Sequence, residues 1–187
     1  MRVISGDFKG KKILEPKDIK TRPLKDLTKE SIFNILKHSK KFSIKLENSE
    51  ILDLFSGTGS FGIECLSRGA KFVTFVENYK GILPTLKKNL SNLKTMENYS
   101  IIEQNILIDF NFKNLKKQFD IIFLDPPYKE TKLEKLISEL QFKKILKDNG
   151  ILIIHRHKKQ NDIFFKSLKI VEEKKYGISK IFFCVYN

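Results

Sequence analysis

Ile51-Leu52-Asp53-Leu54-Phe55-Ser56-Gly57-Thr58-Gly59-Ser60-Phe61-Gly62 passes from a short apolar run through a glycine-rich turn into Phe61–Ser67, which has helical character. The glycines fit the spacing G-x-G-x-x-G. Glycine permits a tight turn and lets a ligand approach bare backbone. The spacing alone is weak. Here it lies between a strand and a helix, and Glu77 stands twenty positions after Gly57, at the end of the next apolar run, Phe72-Val73-Thr74-Phe75-Val76. A carboxylate placed there can accept hydrogen bonds from both hydroxyls of a ribose.

The rhythm continues downstream. Ile82–Leu93 has helical spacing, with Pro84 in the first turn, where a missing N–H costs little. Ser100–Glu103 and Phe119–Leu124 read as strands. Lys132–Leu146 reads as a helix with Leu133, Leu136, Ile137 and Leu140 on one face, and Gly150–Ile154 as a further strand. Strand and helix thus alternate from residue 50 to about 155, the pattern of an α/β fold with a mostly parallel sheet covered by helices. The strands are continuously apolar, as strands buried on both faces are. Asn161–Ser167 reads as a short helix. Leu168–Glu173 and Lys180–Tyr186 then close the chain as an antiparallel C-terminal strand pair across Tyr176-Gly177.

Upstream, Val3-Ile4-Ser5 and Lys12-Ile13-Leu14 flank Gly6-Asp7-Phe8-Lys9-Gly10, which predicts a small N-terminal hairpin with a basic tip. Thr21-Arg22-Pro23 is extended, because the residue before proline avoids the helical region. Thr28 is the expected cap of a helix reaching about Lys40, with Ile32, Phe33, Ile35 and Leu36 on its buried face. Residues 1–20 form an appendage and residues 21–187 a single domain.

A chain of 187 residues carries one sizeable core. No apolar run approaches the roughly 18 residues of a membrane span, and Met1–Asp7 has no apolar signal core, so a cytoplasmic protein is expected. Cys65 and Cys184 lack metal-type spacing and read as buried free thiols. The net charge of +14 favours polyanions. Of the 36 basic residues only Arg2, Arg22, Arg68 and Arg156 are arginine. That lysine bias also reflects composition, so charge adds only modest weight to nucleic acid as the partner.

Two ligands suit the glycine turn: a dinucleotide and S-adenosylmethionine. Asp53 favours the second. A dinucleotide brings two phosphates to this loop, which a buried carboxylate repels. The sulfonium and amino groups of S-adenosylmethionine are cationic, and at short range in low dielectric the sign of the charge dominates. The expected cofactor contacts are therefore Asp53, the turn Phe55-Ser56-Gly57-Thr58-Gly59, Glu77 with Asn78, Asn105, whose side-chain oxygen suits an adenine amino group, and Asp125.

The catalytic expectation rests on Phe119–Leu124 running directly into Asp125-Pro126-Pro127-Tyr128. Ligands of open α/β sheets gather at the carboxyl ends of strands. Two prolines stiffen the turn and remove two donors, leaving the Asp125 carboxylate and the Pro126 carbonyl as acceptors. That suits a substrate presenting N–H groups, such as the exocyclic amine of a base, with the Tyr128 ring as a stacking surface. Such an amine is a poor nucleophile. Hydrogen bonds to Asp125 and Pro126 hold it in line with the methyl group, and Asp125 helps its proton leave. No metal is required, and the base must be unpaired or flipped.

Asp-Pro-Pro-Tyr downstream of Asp-x-Phe-x-Gly-x-Gly resembles the amino-methyltransferases of nucleic acids. Nearly the whole chain resembles the RsmD family, the guanine-N2 methyltransferases of 16S rRNA. The segments that carry the likeness are Arg2–Gly6 with Gly10-Lys11-Lys12, Thr21-Arg22-Pro23 with Lys29–Leu36, Asp53–Glu64 with Ser67–Ala70, and Lys175-Tyr176-Gly177. The resemblance implies a Rossmann-like class I S-adenosylmethionine-dependent methyltransferase that modifies one guanine N2 of small-subunit rRNA within an assembled or assembling 30S particle. A monomer is expected. Arg2, Arg22 and the lysines Lys9, Lys11 and Lys12 are the expected RNA contacts. The sequence departs from the family's usual residues at several positions: Lys29 stands in place of Arg, Leu24 in place of Thr, Asn105 in place of Asp, and His155 where Glu is frequent. His155 and His157 read as surface residues beside Arg156 rather than as a metal site.

Three other functions fit parts of the sequence. An N6-adenine methyltransferase uses the same Asp-Pro-Pro-Tyr box, although no separate sequence-reading domain is visible. A non-catalytic RNA-binding assembly factor could keep the fold, but Gly57, Asp125, Pro126 and Tyr128 are intact. A nicotinamide oxidoreductase is disfavoured by Asp53.

Overall fold

The computed structural model describes residues 1–18, 21, 23–93, 98–108, 110–128, 130–160 and 168–186. The elements are α1 (Asp26–His38), β1 (Glu50–Leu54), α2 (Ser60–Ser67), β2 (Phe72–Val76), α3 (Leu83–Ser91), β3 (Tyr99–Ile102), β4 (Phe119–Leu124), α4 (Leu133–Phe142), β5 (Leu146–His157), β6 (Leu168–Tyr176) and β7 (Ser179–Tyr186), with one turn of 3-10 helix at Phe112–Asn114. They build one seven-stranded sheet in the order β3-β2-β1-β4-β5-β7-β6. The first five strands run parallel, and β7 lies antiparallel between β5 and β6. The expected α/β architecture and antiparallel closing pair are both present. The order reverses beside β1, so β1 and β4 flank the crevice where open sheets collect ligands.

Burial explains the strand sequences. Ile51, Leu52 and Leu54 of β1 and Ile121, Ile122 and Leu124 of β4 are all fully buried, because helices cover both faces. One side of the sheet packs on α1, α2 and α3 through Phe33, Phe61, Leu86 and Phe123. The other packs on α4 through Leu133, Leu136, Ile137 and Leu140, the face expected from their spacing. β6 is one of the two edge strands, and its run of Glu172, Glu173, Lys174 and Lys175 keeps that edge charged, which discourages pairing with another chain.

Three boundaries differ from expectation. α1 begins at Asp26 after Lys25, which makes no side-chain cap, so Thr28 is not the cap but a buried residue inside the helix. An acidic residue in the first turn suits the helix dipole without a capping hydroxyl. α4 ends at Phe142, and β5 starts at Leu146 rather than Gly150. The polar stretch before Gly150 is an irregularity in the strand, since the β4–β5 register shifts between Phe119 and Ile121. The expected helix Asn161–Ser167 lies outside the described residues.

The N-terminal segment is bonded to the domain's core rather than projecting from it. One antiparallel bridge joins Arg2 to Lys12, and Val3, Phe8 and Ile13 are buried in the same cluster as α1 and α2. Glu64, fully buried on α2, accepts hydrogen bonds from the Ile4 and Ser5 amides at 2.7 and 3.0 Å. Ser67 adds a carbonyl that accepts from the Asp7 amide and a hydroxyl that accepts from the Phe8 amide. Lys29 reaches the same place from α1. Its ammonium lies 3.7 Å from Glu64 and donates to the Arg2 carbonyl and the Ser60 hydroxyl. Covered in this way, α2 is buried on all sides.

Gly62 shows how tightly α2 sits on the sheet. A Cβ at this position would lie 2.3 Å from the Phe75 ring and 2.8 Å from Val73. Gly62→Ala is expected to lower unfolding free energy by about 1–3 kcal/mol through overpacking, measured by urea denaturation. An unchanged midpoint would mean that the α2–β2 contact relaxes freely.

Candidate active site

Parallel pairing sets the site. Leu54 of β1 registers with Val76 of β2 and with Leu124 of β4, and Val76 registers with Ile102 of β3. The segments after these residues, which carry the glycine turn, Glu77, Asn105 and Asp125, therefore leave the sheet along one edge. The structure brings the expected cofactor and catalytic residues together there.

The glycine turn is shaped by its own side chains. The Ser56 hydroxyl donates to the Asp53 carbonyl at 2.6 Å, and the Ser56 amide donates to the Val76 carbonyl. Phe55 adopts φ 60°, and Gly59 takes φ 80° as the residue before α2. A left-handed conformation at that point costs glycine nothing, and it aims the first amides of α2 back at the turn. Thr58 is buried, and its carbonyl accepts from Asn89 of α3.

Two carboxylates flank the turn. Glu77 accepts from the Gly57 amide at 2.8 Å through one oxygen and from the Asn78 and Tyr79 amides through the other. A carboxylate has about four acceptor positions, so about one is left for a ligand hydroxyl. Asp53 is buried and accepts from the Gly62 amide at 3.0 Å. Burial pushes its acid well above the usual carboxylate range; the Gly62 hydrogen bond opposes the shift, and the charges of Asp125 and Glu77 add to it. An anion held at such a cost is stabilised by a cationic ligand. Asn105 already uses its side-chain oxygen on the Leu107 amide at 2.9 Å, and Asn78 is exposed.

Asp125 leaves β4 with its amide bonded to the Leu54 carbonyl at 3.4 Å. The turn after it is held from β5. Arg156 sends its guanidinium to the carbonyls of Pro127 and Glu130, both at 3.3 Å, and Gln160 donates to the Tyr128 carbonyl at 2.7 Å. The half-buried Tyr128 ring meets His157 edge-on, with centroids 5.0 Å apart. Pro126 is buried and Pro127 exposed, which fixes the turn on one side and opens it on the other.

The surface reading of the two β5 histidines fails for His155, and Arg156 beside it is buried as well. His155 and Arg156 are 6% and 2% exposed. His155 Nδ1 lies 2.7 Å from Asp125, and Nε2 lies 2.8 Å from the Ser179 hydroxyl. Burial pulls the imidazole down, Arg156 also pulls it down, and the charge and hydrogen bond of Asp125 outweigh both, so it titrates above its usual value. His155, Arg156, Gln160 and Ser179 were missed as site residues because their partners lie 20 or more positions away. The one available signal was that His155 directly follows the apolar run Ile151–Ile154, as Asp125 directly follows Phe119–Leu124.

Of the expected RNA contacts, Arg2, Lys9, Lys11 and Lys12 are exposed on the N-terminal segment, and Lys11 rests over the Phe8 ring. Phe8, within the same turn, is buried and anchors the basic tip to the domain. Arg22 lies outside the described residues. Among the described residues, no helix is long and apolar enough to cross a membrane.

The sheet order, with its antiparallel β7 and its ligand edge at β1 and β4, defines the Rossmann-like fold of the class I methyltransferases. A putative methyltransferase from Escherichia coli superposes with a TM-score of 0.81 at 26% identity, covering 100% of this chain and 98% of that one. A putative methylase from Haemophilus influenzae gives 0.72 at 33%, covering 98% and 96%. Residues 1–185 match the family described as Conserved hypothetical protein 95. The ribosomal RNA small subunit methyltransferase D of Buchnera aphidicola (from Acyrthosiphon pisum) is 38% identical over 92% of this chain and 86% of its own length. The protein of the same name from Haemophilus influenzae is 36% identical over 95% and 90%. The chain belongs to this family, that of the small-subunit rRNA methyltransferases D.

Proposed function

We propose that the protein transfers the methyl group of S-adenosylmethionine to the exocyclic N2 of one guanine in small-subunit rRNA. The observation that carries this reading is the placement of Asp125-Pro126-Pro127-Tyr128 on the same sheet edge as the glycine turn, one strand from Asp53. The relatives named as acting on small-subunit rRNA supply the substrate class.

The buried Asp53 carboxylate and the bare backbone of Gly57 suit the cofactor's cationic and uncharged groups, while Glu77 offers its remaining acceptor position to a ribose hydroxyl. S-adenosylmethionine supplies an activated methyl group. The protein supplies position. Asp125 and the Pro126 carbonyl accept the two N–H groups of the target amine and hold its nitrogen in line with the methyl carbon. Tyr128 stacks on the extruded base. As the N–C bond forms and the S–C bond breaks, the amine gains positive charge, and Asp125 stabilises that charge and takes the proton released. Arg2, Lys9, Lys11, Lys12 and Arg22 hold RNA phosphates, with residues 1–20 acting as an RNA-binding appendage on the methyltransferase domain. The expected setting is a cytoplasmic monomer acting on an assembled or assembling 30S particle, with no metal.

The test is incubation with labelled S-adenosylmethionine and unmodified small subunits, free rRNA or duplex DNA, followed by digestion to nucleosides. The expected product is N2-methylguanosine from ribosomal substrate. Methyladenine instead would keep the site and overturn the base; RNA binding without label in any substrate would overturn the enzyme.

A further inference from the structure

Asp125 is held by more than its own strand. His155 lies near the end of β5, the neighbouring strand, and its Nδ1 touches one Asp125 oxygen, Oδ1, at 2.7 Å. Behind the ring, the Ser179 hydroxyl at the start of β7 meets Nε2 at 2.8 Å. The register explains the line-up. Leu124 pairs with Ile154, which sets Asp125 beside His155, and Ser179 pairs with His157 two residues further on. The result is a buried chain, Ser179–His155–Asp125, that runs from the second sheet neighbour to the edge where the target amine is held. Among the described residues, the other Asp125 oxygen has no protein donor.

The chain suits both charge states of the imidazole. Neutral His155 donates from Nδ1 to the Asp125 carboxylate while Nε2 accepts from the Ser179 hydroxyl. Protonated His155 donates from both nitrogens, and the Ser179 oxygen accepts. Both ring nitrogens keep a partner in either state, so protonation changes charge without breaking the geometry. That distinguishes the arrangement from a simple structural bond, where one state carries an unsatisfied group.

We propose that His155 is the positioning residue of the methyl transfer: it clamps Asp125 Oδ1 so that Oδ2 faces the amine, and its protonation sets how strongly Asp125 attracts that amine. With His155 neutral, Asp125 carries its full negative charge against the positive charge growing on the nitrogen. With His155 charged, the pair is neutral overall and the attraction weakens. The groups that face the ring are Asp125 from β4, Ser179 from β7 and the adjacent Arg156, whose guanidinium is spent on the Pro127 and Glu130 carbonyls. Asp53 of β1 adds a charge that acts on Asp125. Lys180 of β7 points to the Gln160 carbonyl, and His157 to the Tyr128 ring. This inference rests on Asp125 receiving the amine, as proposed above.

The test is the pH dependence of single-turnover methylation in wild type, His155→Asn, His155→Leu and Ser179→Ala. Asn keeps a donor near the position of Nδ1 but does not titrate. Wild type is expected to gain rate as pH rises through the His155 transition, above the ordinary imidazole value of about 6.5. His155→Asn should keep the rate within about tenfold at high pH and lose that rise, whereas His155→Leu should fall by about 100-fold with cofactor affinity unchanged. Ser179→Ala should move the rise to lower pH, since it removes the acceptor of the charged ring. The chain has only three histidines, so NMR titration of the imidazoles follows His155 directly without turnover, and Asp125→Asn should lower its midpoint. A pH profile in His155→Asn identical to wild type, or a His155 midpoint unmoved in Asp125→Asn, overturns the inference. An Asp125→Asn enzyme that methylates within about tenfold of the wild-type rate overturns the underlying reading of Asp125 instead.

Discussion

Asp125→Asn is expected to lower the rate of methyl transfer by about 10²–10³-fold while leaving cofactor affinity within a few-fold. The substitution keeps the size of the side chain. It removes the negative charge that opposes the positive charge growing on the amine. It also allows an amide N–H to point where the substrate presents its own N–H groups, so a repulsive contact replaces an attractive one. The turn should survive, because Arg156 and Gln160 hold it through the carbonyls of Pro127, Tyr128 and Glu130, not through Asp125. Single-turnover methylation with a separate cofactor titration checks both halves. A variant within tenfold of wild type would remove the amine from Asp125. Stability carries a second signature. The raised titration of His155 contributes stability that is full below its unfolded value of about 6.5 and is lost as pH rises through the folded one. The stability difference between wild type and Asp125→Asn should therefore be larger at pH 6 than at pH 9.

The largest effect on stability is expected from Glu64→Ala, a loss of about 3–5 kcal/mol, or on the order of 10 °C in melting temperature. Glu64 is fully buried and serves the Ile4 and Ser5 amides, Arg68 and Lys29 at once. Its removal leaves two amides without their acceptor and Lys29 buried without its main counter-charge. Burial already holds the Lys29 ammonium below its usual value, with Glu64 and then Asp26 opposing the shift. Loss of Glu64 thus favours a neutral Lys29, which limits the cost. Lys29→Met should be milder, since Glu64 keeps the two amides and Arg68. Thermal and urea denaturation of the two variants check the order. Equal losses would assign the effect to the ion pair alone rather than to the clasp on the N-terminal segment.

These two positions were unequally legible in the sequence. Asp125 announces itself, because a buried strand that ends in Asp-Pro-Pro has few structural uses. The alternation of strands and helices was equally plain, since parallel strands buried on both faces are written as unbroken apolar runs such as Ile121-Ile122-Phe123-Leu124. The role of Glu64 was hidden, because its partners lie 59 and 60 positions away and it sits in a helix whose apolar residues have no single face. His155 and Arg156 were hidden for a related reason. Charged types at a strand end suggest solvent, and only the β4–β5 and β5–β7 registers turn them inward. The start of β5 was obscured by Lys147-Asp148-Asn149-Gly150, a turn-like sequence accommodated as an irregularity inside a strand. Glu77 was expected to reserve itself for a ribose. It also ties down the Gly57, Asn78 and Tyr79 amides, which no spacing reveals.

The clasp on α2 also orders events in time. Residues 3–8 are synthesised well before Glu64 and Ser67, and their docking partners emerge only some sixty residues later. Until then residues 4–8 lack the acceptors that Glu64 and Ser67 supply, although α1 is already present. Docking of residues 3–8 therefore waits for α2, and the helix that supports the glycine turn is covered by a segment made some sixty residues before it.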